Sequence, residues 1–330
     1  MPGTGFYTWG MSGIAAVVMA IGVQLQGGEQ PVVAPWGTPI APAQAKGAWA
    51  DGVDKVTLSW ARTATKGFAC MLDVTMKPGW HTYWQNPGDS GNAPAVKWDL
   101  PPGWAASPIR FVRPDVKLLD GAPFYGYEER AQYIVEIDQL RMDTGASAAT
   151  NTPGTPPSSP TPPDQSATAP SGWKCTWTLL VCKERCVQGT FDFTGAFPPE
   201  APLAKLDVTT ATFNGRALPQ HAEQAKVTTS WDGTTLIIKG PAQGAASARF
   251  IPASVVGMSL ADPAAEQGVA KGSVKDGTFE IRAPLTLEAT GPGGTYPTVE
   301  GLVLLGETAS DPSIAIKTAA PKAPAAQTKP

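Results

Sequence analysis

The chain has 330 residues, enough for two ordinary domains, and a formal net charge of −3 with no basic stripe, which excludes nucleic acid as the main partner. Charged residues make up only 16%, while glycine (35), proline (34) and tryptophan (11) are abundant; this predicts short strands and many turns, not long helices. Four cysteines are too few for a disulfide-dense scaffold.

The first element is the apolar run Ile14-Ala15-Ala16-Val17-Val18-Met19-Ala20-Ile21-Gly22-Val23. It is shorter than the about 20 apolar residues of a membrane-spanning helix. It fits the core of a signal peptide, although no Lys or Arg precedes Lys46. Residues 1–27 are therefore expected to be a signal peptide or, if uncleaved, an N-terminal anchor. Residues 28–50, rich in Pro, Ala and Gly, read as a flexible leader.

Strand signals follow. Lys55-Val56-Thr57-Leu58-Ser59-Trp60 alternates polar and apolar residues, and Phe68 to Met76 does so loosely, with a break at Cys70-Met71-Leu72. Ala95 to Trp98 and Gln132 to Ile137 continue the pattern. Between them, His81 sits in an aromatic segment, where a hydrogen-bonded structural role competes with that of a base or ligand. Asn86-Pro87-Gly88-Asp89-Ser90-Gly91 is turn chemistry. From 143 to 172, Pro, Ser, Thr and Ala dominate, and Asp143 and Asp164 are the only charges. Such a segment cannot bury a core, so a disordered insertion in a surface loop is expected there.

Strand-like sequence resumes at Trp173 and delivers Cys182 to a charged connection that ends on Cys186. In a straight strand, residues four apart lie about 13 Å from each other. A disulfide needs Cα atoms within about 7 Å. If the two cysteines pair, the chain must reverse between them, and Lys183, Glu184 and Arg185 suit an exposed reversal. Lys183 and Arg185 would also favour thiolate over thiol, which makes them candidates for tuning the pair. One reading is a structural staple, but so short a loop gains little stability from cross-linking. A redox dithiol exchanges disulfides by thiolate attack with no cofactor. A zinc site needs two further ligands, and only Cys70, Cys175 and two scattered histidines, His81 and His221, are on offer.

Beyond about 200 a second β-rich region runs to 318. Val227 to Ile238 reads as a hairpin turning at Asp232-Gly233. Gly277 to Arg282 and Val299 to Leu305 are further strands. Residues 319–330 read as a disordered tail. The fold class is all-β, with both halves built as sandwiches.

Three motifs carry a family resemblance. The run from Gly79 to Gly91 (Gly-Trp-His-Thr-Tyr-Trp-Gln-Asn-Pro-Gly-Asp-Ser-Gly) resembles the signature of the N-terminal domain of the thiol:disulfide interchange protein DsbD family, the protein-disulfide reductases. Phe124-Tyr125-Gly126-Tyr127-Glu128 resembles that family's cap loop, and Leu180-Val181-Cys182-Lys183-Glu184-Arg185-Cys186 resembles its cysteine motif. The likeness covers 51 to 193 and continues more weakly to 316. It implies a periplasmic immunoglobulin-like β-sandwich over 51–199, followed by the second β-rich domain over 200–318. It also implies that Cys182 and Cys186 are the redox pair and that Phe124 and Tyr125 shield it. The implied partners are a membrane-embedded thiol reductase acting in trans and periplasmic thioredoxin-like proteins. Sulfur chemistry suffices, so no cofactor or metal is expected.

Cys70 and Cys175 are additions to the family pattern. They read as core thiols, as a disulfide between packed strands, or, for Cys175, as a resolving thiol. Two other functions compete with the relay. One is a binding module with purely structural cysteines. The other is copper handling by Cys182 and Cys186 with nearby soft ligands, Cys70, Met71 and Met76 sitting in one strand.

Overall fold

Burial alternates with a period of two along Trp173–Cys182 and Cys186–Gly195, so each strand turns one row of side chains to a core and the other outward. The computed structural model describes residues 36–63, 67–88, 91–140, 172–198, 205–253, 258–261, 268–288, 296 and 298–321. The expected signal segment (1–27) and nearly all of the Pro/Ser/Thr insertion (143–172) lie outside these residues. The described residues form one compact unit.

The fold is an immunoglobulin-like β-sandwich followed by a second β-rich region. Among the described residues, one sheet of the sandwich runs Gln44–Gly47, Cys186–Gly195, Trp173–Cys182, His81–Gly88, Ala122–Glu128, Asp115–Leu119, with Ala95–Asp99 also pairing Trp173–Cys182. The facing sheet runs Lys205–Leu206, Val53–Thr63, Phe68–Met76, Arg130–Gln139, Trp104–Ala106. Leu58, Leu72, Tyr133 and Trp177 meet between the sheets with no exposed surface. Burying a side chain of this size contributes about 1.5–3 kcal/mol. The break predicted at Cys70-Met71-Leu72 does not interrupt Phe68–Met76. The residues of that strand from Phe68 to Leu72 are buried at both parities, so the loss of alternation reflects burial of both faces.

Among the described residues, the second region's strands from Gln220 onward join one sheet, with a core around Phe250, Phe279, Ile281 and Val303, while Thr212–Phe213 and Arg216–Ala217 form a separate two-stranded ribbon. The Thr228–Asp232/Thr235–Pro241 hairpin turns through Gly233 and Thr234, with Gly233 at φ 60°. Two expected flexible segments are ordered where described. Within the 28–50 leader, Ile40 bridges Leu58 and Gln44–Gly47 pairs with Cys186–Gly195, because this sheet edge offers unpaired backbone groups. At the expected tail, Ala319 accepts a hydrogen bond from Trp231 Nε1 at 3.0 Å.

The two β regions are joined by buried polar contacts. Arg113, 2% exposed, donates through Nη1 to Leu305 O (2.6 Å) and Pro312 O (2.9 Å), and through Nη2 to Gly306 O (2.7 Å). Arg216 donates to Arg113 O and to both carboxylate oxygens of Asp115. Asn86 Nδ2 donates to Pro252 O at 2.8 Å. Within the turn expected at 86–91, Asn86 Oδ1 accepts from Gly88 N at 3.0 Å; the strand runs on to Gly88 with an irregular register after Tyr83, and Asn86 is buried at the seam.

Candidate redox site

Cys182 and Cys186 close the hairpin of Trp173–Cys182 and Cys186–Gly195 as its last facing pair. Their Cα atoms are 4.1 Å apart and the sulfurs are joined in a disulfide. Lys183, Glu184 and Arg185 make the exposed reversal, which Lys183 N closes by donating to Arg185 O at 3.1 Å. The core-facing positions of the first strand are Cys175, Trp177, Leu179 and Val181. Cys182 is one step further, so alternation puts it on the outer face. It is nevertheless only 3% exposed, whereas Cys186 is exposed. The cover comes from Tyr83 and Phe124, with Leu119 and Leu180 at the edge of the same small cluster.

Phe124 is delivered by a second hairpin, Asp115–Leu119 paired with Ala122–Glu128. Its two-residue loop is Asp120-Gly121, with φ of 51° and 84°, the backbone that a tight strand reversal requires. Gly126 lies on the same face as Phe124. A Cβ there would stand 2.5 Å from Phe124 Cζ, so its absence lets the ring lie across the strand. Phe124 meets His81 edge to face at 4.8 Å between centroids and Tyr83 at 5.8 Å.

Tyr83 reaches the disulfide directly: its hydroxyl donates to Cys182 Sγ at 3.0 Å. His81 Nε2 stands 3.4 Å from the same hydroxyl. Both residues project from the outer face of His81–Gly88, two positions apart. From the facing sheet, Tyr133 donates its hydroxyl to Tyr83 O at 3.1 Å, while Thr82 Oγ1 donates to Leu180 O at 2.9 Å, which fixes this strand against the hairpin. Burial lowers the His81 pKa; Glu128, its cross-strand partner, pulls the other way and Lys117 adds to the lowering. Burial raises the Tyr83 pKa, so the phenol keeps its proton at neutral pH.

The other candidate residues are placed as follows. Tyr125 does not share the Phe124 position. Adjacent residues of a strand face opposite sides, and Tyr125 sits in the main core with its hydroxyl donating to Gly268 O at 2.6 Å. Arg185 is exposed and forms an ion pair with Asp51, which offsets the charge it presents to the sulfurs. Lys183 is exposed, with its chain passing over Gly79. Cys70 and Cys175 are buried free thiols, not a disulfide. Burial pushes the Cys175 thiol up to about 12, and that of Cys70 well above its usual range. Met71 and Met76 lie in the main core, separate from the Cys182 cluster. Among the described residues no group of three His, Cys, Asp or Glu is arranged to hold a metal.

Residues 53–198 match the family model described as thiol:disulfide interchange protein DsbD, N-terminal. Over this segment the chain is similar to the DsbD N-terminal family. No curated protein matches the chain. Among solved structures, the N-terminal periplasmic domain of ScsB from Proteus mirabilis aligns over 89% of this chain and 100% of its own, with a TM-score of 0.46 and 14% identity. The DsbD-type segment contains both cysteines, both hairpins and the Tyr83–His81 pair, and the match supports a thiol–disulfide interchange domain.

Two features of the DsbD-type site escaped the sequence reading. Asp120-Gly121 between Leu119 and Ala122 is a hairpin signal that marks the cap. Tyr83 was legible by parity, since His81 and Tyr83 must share a face.

Proposed function

We propose that the chain is an exported redox relay that shuttles electron pairs through Cys182 and Cys186. It would accept them from a membrane-embedded thiol reductase in trans and pass them to periplasmic thioredoxin-like proteins. The observation that carries this reading is the asymmetry of the disulfide: Cys186 is exposed at a charged turn, and Cys182 lies under Phe124 and Tyr83. A staple gains nothing from such asymmetry. A relay needs one sulfur within reach of a partner and one held back from stray oxidants.

The exchange balances without a cofactor. A reductase thiolate attacks Cys186 Sγ, the intramolecular S–S bond breaks, and Cys182 leaves with the electron pair. The second reductase thiol, as thiolate, then attacks its own sulfur in the mixed disulfide and releases Cys186. Two electrons and two protons have entered, and the reductase is left as a disulfide. The downstream step runs the same chemistry outward: Cys186 attacks the partner disulfide and Cys182 resolves the mixed disulfide.

Redox titration of the purified chain in glutathione or dithiothreitol buffers, with alkylation and mass mapping, tests this. Reversible two-electron exchange at a potential open to thioredoxin-like proteins is expected. A pair that stays oxidised until the protein unfolds would leave an immunoglobulin-like binding module with a structural disulfide.

A further inference from the structure

We propose that Tyr83 is a catalytic residue of the Cys182–Cys186 couple, its hydroxyl stabilising the negative charge on Cys182 as the disulfide opens, and that His81 positions that hydroxyl. This rests on the relay reading and adds to it a residue that the cysteine chemistry alone does not require.

A disulfide sulfur carries no hydrogen, so in the 3.0 Å contact Cys182 Sγ can only accept and Tyr83 must donate. A phenol has a single hydrogen, so the same hydroxyl has nothing left to give His81. The 3.4 Å contact therefore runs from His81 Nε2–H to the Tyr83 oxygen. The three residues form a directed chain of donors ending on sulfur. The groups around His81 are consistent with this: Phe124 lies against its ring, Glu128 stands across the strand, and Lys117 pairs with Glu128 at 2.7 Å.

The chemistry follows from where charge develops. When a thiolate attacks Cys186 Sγ, the breaking S–S bond sends its electron pair to Cys182 Sγ, which becomes a thiolate under the Phe124 ring. A neutral disulfide sulfur is a weak acceptor, and a thiolate is a strong one. The Tyr83 hydrogen bond thus tightens along the reaction and favours the transition state over the ground state. In reverse, the same bond favours the thiolate of Cys182 that resolves the mixed disulfide. The proton that converts Cys182 to a thiol comes from solvent, and Tyr83 keeps its own.

The test uses the purified full chain, wild type and Tyr83→Phe, with two readouts: thiolate absorbance of the reduced protein against pH, and the rate of disulfide reduction by dithiothreitol. Loss of a hydrogen bond to a charged sulfur should raise the Cys182 thiol pKa by about one unit and slow reduction about tenfold. His81→Phe should shift the rate in the same direction, and His81→Gln, which restores a donor nitrogen, should recover it. If the wild type cycles and Tyr83→Phe titrates and reacts identically, Tyr83 has no catalytic part and the relay stands without it. If the wild-type pair resists reduction until unfolding, the relay itself falls, and the role of Tyr83 with it. Should Tyr83→Phe fail to fold, the carbon-13 shift of Tyr83 Cζ in the wild type decides. It must move as Cys182 deprotonates, and a flat resonance overturns the proposal.

Discussion

The hydroxyl of Tyr125 donates to the carbonyl of Gly268 at 2.6 Å, so the strand that carries Phe124 over the disulfide is tied to the second β region through the very next residue. Gly268 has φ 66°. A Cβ there would lie 2.4 Å from the Tyr125 hydroxyl and 3.0 Å from Pro123. Gly268→Ala should therefore push the Phe124 strand outward and cost about 1–3 kcal/mol in strain. Urea unfolding should report the loss. Faster reduction of Cys182–Cys186 by small thiols at sub-denaturing conditions should report the displaced cover.

Phe124→Ala removes the ring over Cys182. It should destabilise by about 3 kcal/mol, the low end for buried aromatics, because the ring sits in a small outer cluster. Glutathione should reduce the disulfide at least about tenfold faster, by analogy with the loss of one well-packed shield. Stopped-flow reduction with glutathione checks this, and an unchanged rate would show that the ring is packing only.

Arg113→Met should be costly far from the disulfide. It strips the carbonyls of Leu305, Gly306 and Pro312 of a charged donor while keeping the side-chain volume. Burial and the neighbouring Arg249 already lower the Arg113 pKa to about 10. The expected loss is about 3 kcal/mol, read as a fall in the urea midpoint. A midpoint within error of wild type would mean that water replaces the guanidinium.

His81 gives stability a pH dependence. Its folded-state pKa lies below the ordinary 6.5, chiefly through burial, so the unfolded chain takes up a proton before the folded one does. Between 6.5 and the lower folded value the unfolded state binds more protons, and stability falls as pH falls; above 6.5 the contribution is constant. His81→Asn should flatten that part of the stability curve in thermal melts at a series of pH values. A slope unchanged in this window would assign it to other groups.

Alkylation should sort the four thiols of the reduced, folded chain. Cys186 reacts first, Cys182 more slowly beneath its cover, and Cys70 and Cys175 only after unfolding, since burial holds both protonated. Modification of Cys175 before Cys182 in timed mass spectra would contradict the placement of the two thiols.

Much of this was legible in the sequence because it is local. The reversal at Lys183–Arg185 follows from the reach of a strand and the span of a disulfide. Period-two burial follows from alternation. Phe124 at the site follows from its family motif. What was not legible depends on parity or on distant partners. The resemblance implies Phe124 and Tyr125 together as the shield, but neighbours on a strand face opposite ways, so only one of the two can lie over the disulfide. Asn86 does make its turn bond, with Oδ1 accepting from Gly88 N at 3.0 Å, but nothing local marks the second use of its amide, Nδ2 donating to Pro252 O 166 positions away. Arg113 carries no local mark of its role, since the carbonyls it serves lie about 190 or more residues downstream. Composition does not mark Gln44–Gly47 within the leader, because such a strand needs little apolar content when a sheet edge supplies its partners.

Cys175 and Cys182 share a strand, seven positions apart. An odd spacing on a pleated ribbon sends the two thiols to opposite faces, one into the core and one under Phe124. Four cysteines can in principle pair in several ways, and an oxidising compartment tends to scramble them. Here the sheet is a partition between two sulfur populations that cannot meet while the fold persists. Correct oxidation therefore needs no proofreading once the strand is in register, because neither core thiol can reach Cys182 or Cys186 in the folded chain.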